Sequence, residues 1–226
     1  MLFSYFDITI IAFTVIILLF LLFLFIIFRL DYPADDDFKK IKYNEIKKQL
    51  DTGDILAISY PSRRGKYVKV FTGSIWTHIG MVLRRNNIIY IIEMAHYSND
   101  ETGLILKPLK EWLDWNEGFN IAYRKYNGEK EFPQDKIEDI LELSQEYTAD
   151  LSVISWMKTI ISRNYSDPEE DKDYYYCSEF LVHLLQSCEV LKKIILPCSF
   201  KPWELLYGNL SLHKGYSYMD PIILSM

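Results

Sequence analysis

The chain has 226 residues, half of them hydrophobic and a quarter charged, with a formal net charge of -6. This composition excludes a disordered protein, and the length is enough for one domain with its own core. The mild negative charge makes the chain a poor general binder of polyanions, so we expect no nucleic-acid partner. Three cysteines, Cys177, Cys188 and Cys198, include no C-x-x-C pair, which indicates reduced thiols instead of a disulfide framework.

The first predicted element is an uncharged apolar run from Ile8 to Phe28. At about 1.5 Å per residue it spans roughly 31 Å, which matches a bilayer core. No small-x-small cleavage site follows, so residues 1–30 are predicted as an uncleaved single-pass transmembrane anchor with the lipid bilayer as partner. A buried core helix is the alternative. Basic residues after the run, from Arg29 onwards, predict a cytosolic catalytic domain by the positive-inside rule.

Residues 31–50 are predicted as a linker and a helix, and residues 51–226 as one domain. Alternating apolar residues between turn signals predict strands at 54–60, 77–85, 88–96, 104–109 and 120–126. Helical spacing predicts helices at 38–50, 109–114, 133–162, 176–193 and 202–207. This order is typical of an α+β fold, with a small antiparallel sheet and helices before and after it.

Two of the predicted strands flank Asn86-Asn87, which is a two-residue hairpin turn. In that register Gly80 opposes Glu93, and His78 lies on the same face as both of them. Diagonal Cβ atoms are about 7 Å apart, a gap that the two long side chains can bridge across Gly80. The hairpin therefore predicts a His78–Glu93 pair, in which Glu93 orients the imidazole. A solvent-facing Glu93 is the alternative, and His96 points to the opposite face.

Cys177 begins a predicted helix after a polar loop. The free N–H groups and the positive end of the dipole at a helix start stabilise a thiolate. This position is typical of a nucleophile, with His78 as its base, and a buried structural cysteine is the alternative. Trp76 and Tyr176 flank these residues and are expected to line a pocket. No cofactor or metal ion is predicted.

Several short segments occur in a characteristic order along the chain. They are Gly53-Asp-Ile-Leu, Trp76-Thr-His-Ile-Gly-Met-Val-Leu, Ile91-Ile-Glu-Met-Ala, Tyr176-Cys-Ser-Glu-Phe and Lys201-Pro-Trp-Glu-Leu. In this order they resemble the circularly permuted papain-like enzymes of the NlpC superfamily, in the YiiX-like branch. The resemblance covers about residues 51 to 207. It implies a small sheet packed on the helix that carries the nucleophile, with Cys177 as nucleophile, His78 as catalytic histidine and Glu93 as orienting acid.

The resemblance also implies attack on an amide or ester carbonyl through a thioester. We therefore expect a membrane-anchored cysteine amidase or peptidase. A lipid acyl hydrolase or acyltransferase of the lecithin:retinol acyltransferase type is the second possibility, although this chain lacks the Asn-Cys-Glu-His-Phe stretch of those enzymes. The third possibility is an inert membrane scaffold. The presence of all three proposed catalytic residues argues against it. The substrate, whether peptide, amide or lipid ester, cannot be chosen from the sequence.

Overall fold

A computed structural model describes residues 5–29, 39–98, 101–143, 147–149, 174–194 and 196–225. Seven strands form one mixed sheet: β1 (Lys40–Lys42), β2 (Ile55–Ser59), β3 (His78–Arg85), β4 (Ile88–Ser98), β5 (Glu101–Pro108), β6 (Asn120–Arg124) and β9 (Ile222–Ser225). Their order in the sheet is β1-β9-β6-β2-β3-β4-β5. Strands β7 (Thr148–Ala149) and β8 (Tyr174–Tyr175) form a separate parallel pair.

The described helices are α1 (Tyr5–Arg29), α2 (Tyr43–Ile46), α3 (Arg63–Thr72), α4 (Leu109–Trp115), α5 (Gln134–Leu143), α6 (Cys177–Ser187) and α7 (Pro202–Tyr207). A short 3-10 turn, Pro197–Ser199, lies between the last two. The predicted α+β class is therefore confirmed. The predicted small antiparallel sheet is corrected to a mixed one, because β1 runs parallel to β9.

Both faces of the main sheet are covered, and the pleat decides which residues face which layer. Ala57 and Met81 pack in the core that contains α5, α6 and α7. Their neighbours Leu56 and Val82 pack on the opposite face, in the core that contains α2 and α4. Strand β2 is consequently buried along its whole length and reads as a continuous apolar run.

The β3–β4 hairpin has the predicted register. Its pairs run from Arg85↔Ile88 to Met81↔Ile92. Both turn residues, Asn86 and Asn87, adopt a positive φ, of 50° and 64°, as a two-residue type I′ turn requires. Gly80 is needed next to this ladder, because a Cβ there would come within 2.9 Å of the Ile92 carbonyl oxygen.

The predicted transmembrane anchor falls in α1, whose described side chains, Ile10 to Leu22, are exposed. Among the described residues, no helix combines the length and the apolar character that crossing a membrane requires. The predicted single-pass anchor is therefore wrong for the described part of the chain, and so is the localisation that depended on it.

Other predicted elements differ from the structure at their ends. The helix predicted at 38–50 is instead the strand β1 followed by the single turn α2. The helix predicted at 176–193 ends at Ser187, because Glu189 adopts a left-handed conformation with φ of 57°. Of the helix predicted at 133–162, the structure describes α5, and most of the remainder lies outside the described residues.

Asp54 is a buried carboxyl group that ties the turn before β2 to the region after β6. It accepts hydrogen bonds from the Asp51 N–H at 3.0 Å, the Tyr126 N–H at 2.8 Å and the Tyr123 hydroxyl at 2.9 Å. Burial raises the pKa of Asp54 to about 6, although these hydrogen bonds act in the opposite direction. The role is structural, as the turn position after Gly53 suggests.

We expect Asp54 to make the folded state less stable as pH rises from about 4 to about 6. A raised pKa means that the folded state binds the proton more tightly, so the stabilisation is complete below the unfolded-state pKa and is lost above 6. The shift corresponds to at most about 3 kcal/mol. Urea unfolding at several pH values should show that Asp54→Asn removes this pH dependence of the free energy of unfolding. The control variant Asp139→Asn, at an exposed position, should retain it. Identical pH profiles for wild type and Asp54→Asn would contradict the prediction.

Candidate active site

His78 and Glu93 form a hydrogen-bonded ion pair at the start of β3. The distance from His78 Nε2 to Glu93 Oε2 is 2.7 Å. The Glu93 side chain is fully buried, whereas 12% of the His78 side chain remains exposed. The two residues share a face of the sheet, as the hairpin register requires. Because Nε2 donates to the carboxylate, Nδ1 is the ring nitrogen that remains for another partner.

Two further donors hold the Glu93 carboxylate in place. Trp112 Nε1, on α4, donates to Oε2 at 3.1 Å. The Tyr97 hydroxyl, two pleats along β4, donates to Oε1. With His78 this makes three donors to one buried carboxyl group, so Glu93 acts as an acceptor at both oxygens. The arrangement fixes the rotamer of Glu93 and hence the orientation of the imidazole.

Cys177 is the first residue of α6, and its half-buried thiol lies close enough to the His78 imidazole to raise the pKa of that ring. The helix packs against the sheet through buried residues such as Leu181 and Leu184. Its start is fixed from two sides. The Glu179 carboxylate accepts from the Tyr176 N–H at 3.4 Å, and the Ser178 hydroxyl donates to the Phe200 carbonyl at 2.8 Å. The thiol therefore stands at the helix end that carries free N–H groups.

Opposing effects set the pKa of the His78 imidazole. Burial lowers it, but the Cys177 thiolate and the Glu93 carboxylate both raise it, and the net pKa is well above the usual value for histidine. A neighbouring negative charge favours the protonated form of an imidazole. The arrangement is thus suited to a thiolate–imidazolium pair stabilised by a buried carboxylate.

The strands part next to these residues. The described pairs of β3 with β4 end at Met81↔Ile92, although the strands continue to His78 and Ser98. A cavity of about 850 Å³ occupies this region, and both His78 and Cys177 line it. Its walls come from α3, the end of β4, the α4–β6 connection and the start of α6.

The structure brings Cys177, His78 and Glu93 together, and it separates the two residues that were predicted to line the pocket. Tyr176 lines the cavity. Trp76 does not; it is fully buried in the core on the α6 side. His96 also lines the cavity, from the opposite face of β4 to Glu93.

Tyr97, Trp112 and the wall helix α3 were not predicted from the sequence. Tyr97 could have been found from the strand pattern, because it lies four residues after Glu93 on β4 and its side chain is therefore on the same face of the strand. No local pattern indicates Trp112, because α4 reaches Glu93 only through the packing of the chain. Among the described residues, no group of three or more His, Cys, Asp or Glu side chains could hold a metal ion.

Comparisons with known proteins add little to this geometry. No family model and no curated protein matches the sequence. A solved structure, the metalloprotein yiiX from Escherichia coli O157:H7, is a structural neighbour with 19% sequence identity. The alignment covers 76% of this chain and 97% of that chain, with a TM-score of 0.42. A similarity at this level carries no argument about chemistry.

Proposed function

We propose that this protein is a cysteine-dependent hydrolase that cleaves an amide or ester bond through a thioester. The observation that carries the proposal is the position of the His78 imidazole, which is hydrogen-bonded through Nε2 to Glu93 and lies beside Cys177 at the cavity wall. A nucleophile, a base and a group that orients the base are the parts that covalent acyl chemistry needs. Cys177 and His78 line one cavity large enough for a small molecule, and Glu93 is buried behind His78.

In the first step the Cys177 sulfur attacks the carbonyl carbon of the substrate, and negative charge develops on the carbonyl oxygen. The free N–H groups at the start of α6, where Cys177 lies, are suited to donate to that oxygen. The bond to the leaving oxygen or nitrogen then breaks. The leaving group takes the proton from the His78 imidazolium, and a thioester remains on Cys177.

In the second step water attacks the thioester carbonyl. The neutral His78 imidazole takes a proton from this water, and the carbon–sulfur bond breaks to release the carboxylic acid and the thiolate. Glu93 stays ionised throughout, because its part is to stabilise the imidazolium and to keep Nε2 as the donor. If an alcohol or amine replaces the water, the same residues perform acyl transfer.

We expect an activated acyl substrate to leave its acyl group on Cys177. The protein should be mixed with p-nitrophenyl esters or with amide-type and ester-type activity probes, and the reaction should be quenched in acid. The mass of the intact protein is then measured by mass spectrometry. The expected result is one added acyl group, located on Cys177 by peptide mapping. The Cys177→Ala variant should acquire none.

The matched control is Cys188→Ala, which removes a buried thiol of the same helix region. Burial raises the pKa of Cys188 to about 12, so this thiol is a poor nucleophile and its loss should leave labelling unchanged. Labelling that persists in Cys177→Ala, or that is absent from the wild-type protein with every substrate, would exclude the proposed hydrolase. The second result would favour an inert scaffold.

A further inference from the structure

The walls of the cavity beside Cys177 are largely aromatic and aliphatic. Tyr67 and Val68 come from α3, Met94 from β4, and Phe119 from the segment before β6. Apart from the histidines, Arg64 is the one charged residue among the described wall residues, and it is exposed. A volume of about 850 Å³ lies within the range of sites that enclose most of a small organic ligand.

Most polar side chains of the wall already make hydrogen bonds inside the protein. They are Ser62, Thr77, Tyr97, Asn116 and Ser178. Thr77, for example, donates to the Ile58 carbonyl and accepts from the Tyr60 N–H. Groups bound in this way do not offer the ladder of donors and acceptors that a peptide backbone needs when it is buried.

Among the described wall residues, one buried polar atom, His96 Nδ1, has no hydrogen-bond partner. The Tyr60 hydroxyl group interacts with Tyr97 and Asn116. A wall with so few unpaired polar atoms can serve one ester or amide group, whereas an extended peptide presents a donor and an acceptor at every residue. The supply of polar contacts therefore matches a substrate with a single polar head and a long apolar part.

We propose that the cavity is an acyl-chain site, so that the substrate is an ester or amide of a long, unbranched apolar acid. This inference rests on the proposed hydrolase and specifies its substrate class. The acyl chain lies along the wall formed by α3 and the end of β4, with its carbonyl group beside Cys177. Burial of the chain supplies the binding energy, and the leaving group remains towards solvent.

The first test is the acyl-chain profile of the wild-type protein. Initial rates are measured with p-nitrophenyl acetate, butanoate, octanoate and decanoate, below the concentrations at which the esters form micelles. Each added CH₂ that is buried should raise kcat/KM about fourfold until the cavity is full. The matching p-nitroanilides and a capped dipeptide p-nitroanilide show whether the preference follows the acyl chain or a peptide.

The second test narrows the cavity by one substitution. Val68→Trp adds a large ring at a half-buried wall position of α3. It should lower the ratio of kcat/KM for the decanoyl ester to kcat/KM for the butanoyl ester by about tenfold. Val70→Trp is the matched control, because Val70 is half-buried on the same helix but does not line the cavity. It should change neither substrate.

The possible results separate this inference from the proposed hydrolase. Cys177-dependent turnover with no rise from butanoate to decanoate, or a preference for the capped dipeptide, would overturn the acyl-chain site and leave the hydrolase standing. No Cys177-dependent turnover of any ester or anilide would overturn both. The acyl-chain site and the hydrolase are both supported if kcat/KM rises with chain length in the wild-type protein and in Val70→Trp, but stops rising at a shorter chain in Val68→Trp. If Val68→Trp does not fold, the wild-type profile alone decides.

Discussion

His78→Ala is expected to lower kcat/KM by about 10³-fold on any ester that the wild-type protein hydrolyses. The variant loses the base that keeps Cys177 ionised and the acid that protonates the leaving group. Because nucleophile and base act as a unit, the double variant with Cys177→Ala should be hardly worse than either single variant. Steady-state rates at several pH values, with intact mass to detect residual acylation, provide the measurement.

The control for this loss is His213→Ala. His213 is exposed and is not among the residues that line the cavity, so its removal should leave kcat/KM within about twofold of wild type. Circular dichroism should establish that both variants are folded. A folded His78→Ala variant with nearly full activity would show that Cys177 uses a different base or none.

Glu93→Gln is expected to move the alkaline limb of the pH profile of kcat/KM to lower pH by about one unit, equivalent to about 1.4 kcal/mol. Burial lowers the pKa of His78, whereas the Cys177 thiolate and Glu93 raise it. Without the negative charge of Glu93, the imidazolium deprotonates more easily, so activity that needs it is lost at a lower pH. The two apparent pKa values belong to the Cys177–His78 pair as a whole.

Tyr97→Phe separates the charge of Glu93 from its hydrogen bonds. The substitution removes one donor to the carboxylate but leaves its negative charge beside His78. The alkaline limb should therefore not move to lower pH in this variant, although the rate should fall if Glu93 is less well held. An unchanged limb in Glu93→Gln, or equal acid shifts in both variants, would mean that the carboxylate charge does not stabilise the imidazolium.

The part of the site that could be predicted is the part fixed by one hairpin. Asn86-Asn87 sets the turn, the turn sets the register, and strand parity then places His78 and Glu93 on one face. These steps need only neighbours along the chain. The position of Cys177 could be predicted as a helix start, but its contact with His78 depends on the packing of α6 against β3.

Other features could not be predicted because they depend on distant pairing. Strand β9 is a short apolar segment near the C-terminal end of the sequence, and it becomes a strand by pairing with β6 and β1. Similarly, the single turn α2 replaces a predicted longer helix where β1 joins the sheet. The helix α3 lacks a strong apolar stripe. It is marked by Ser62, whose hydroxyl caps the Gly65 N–H, and by Gly73 with a left-handed φ of 65° after its end.

The sheet order has a consequence for the way in which the chain is made. Strand β9 lies between β1 and β6, so β1 is joined to the sheet through a strand that is synthesised almost a whole domain later. While the ribosome is still translating the segment before Ile222, the edge of β6 that β9 will cover has no strand to pair with. The hairpin of β3 and β4 can form much earlier, because its contacts are local. Closure of the β1 end of the sheet is therefore expected to follow release of residues 222–225 from the exit tunnel, whereas the His78–Glu93 pair can assemble during translation.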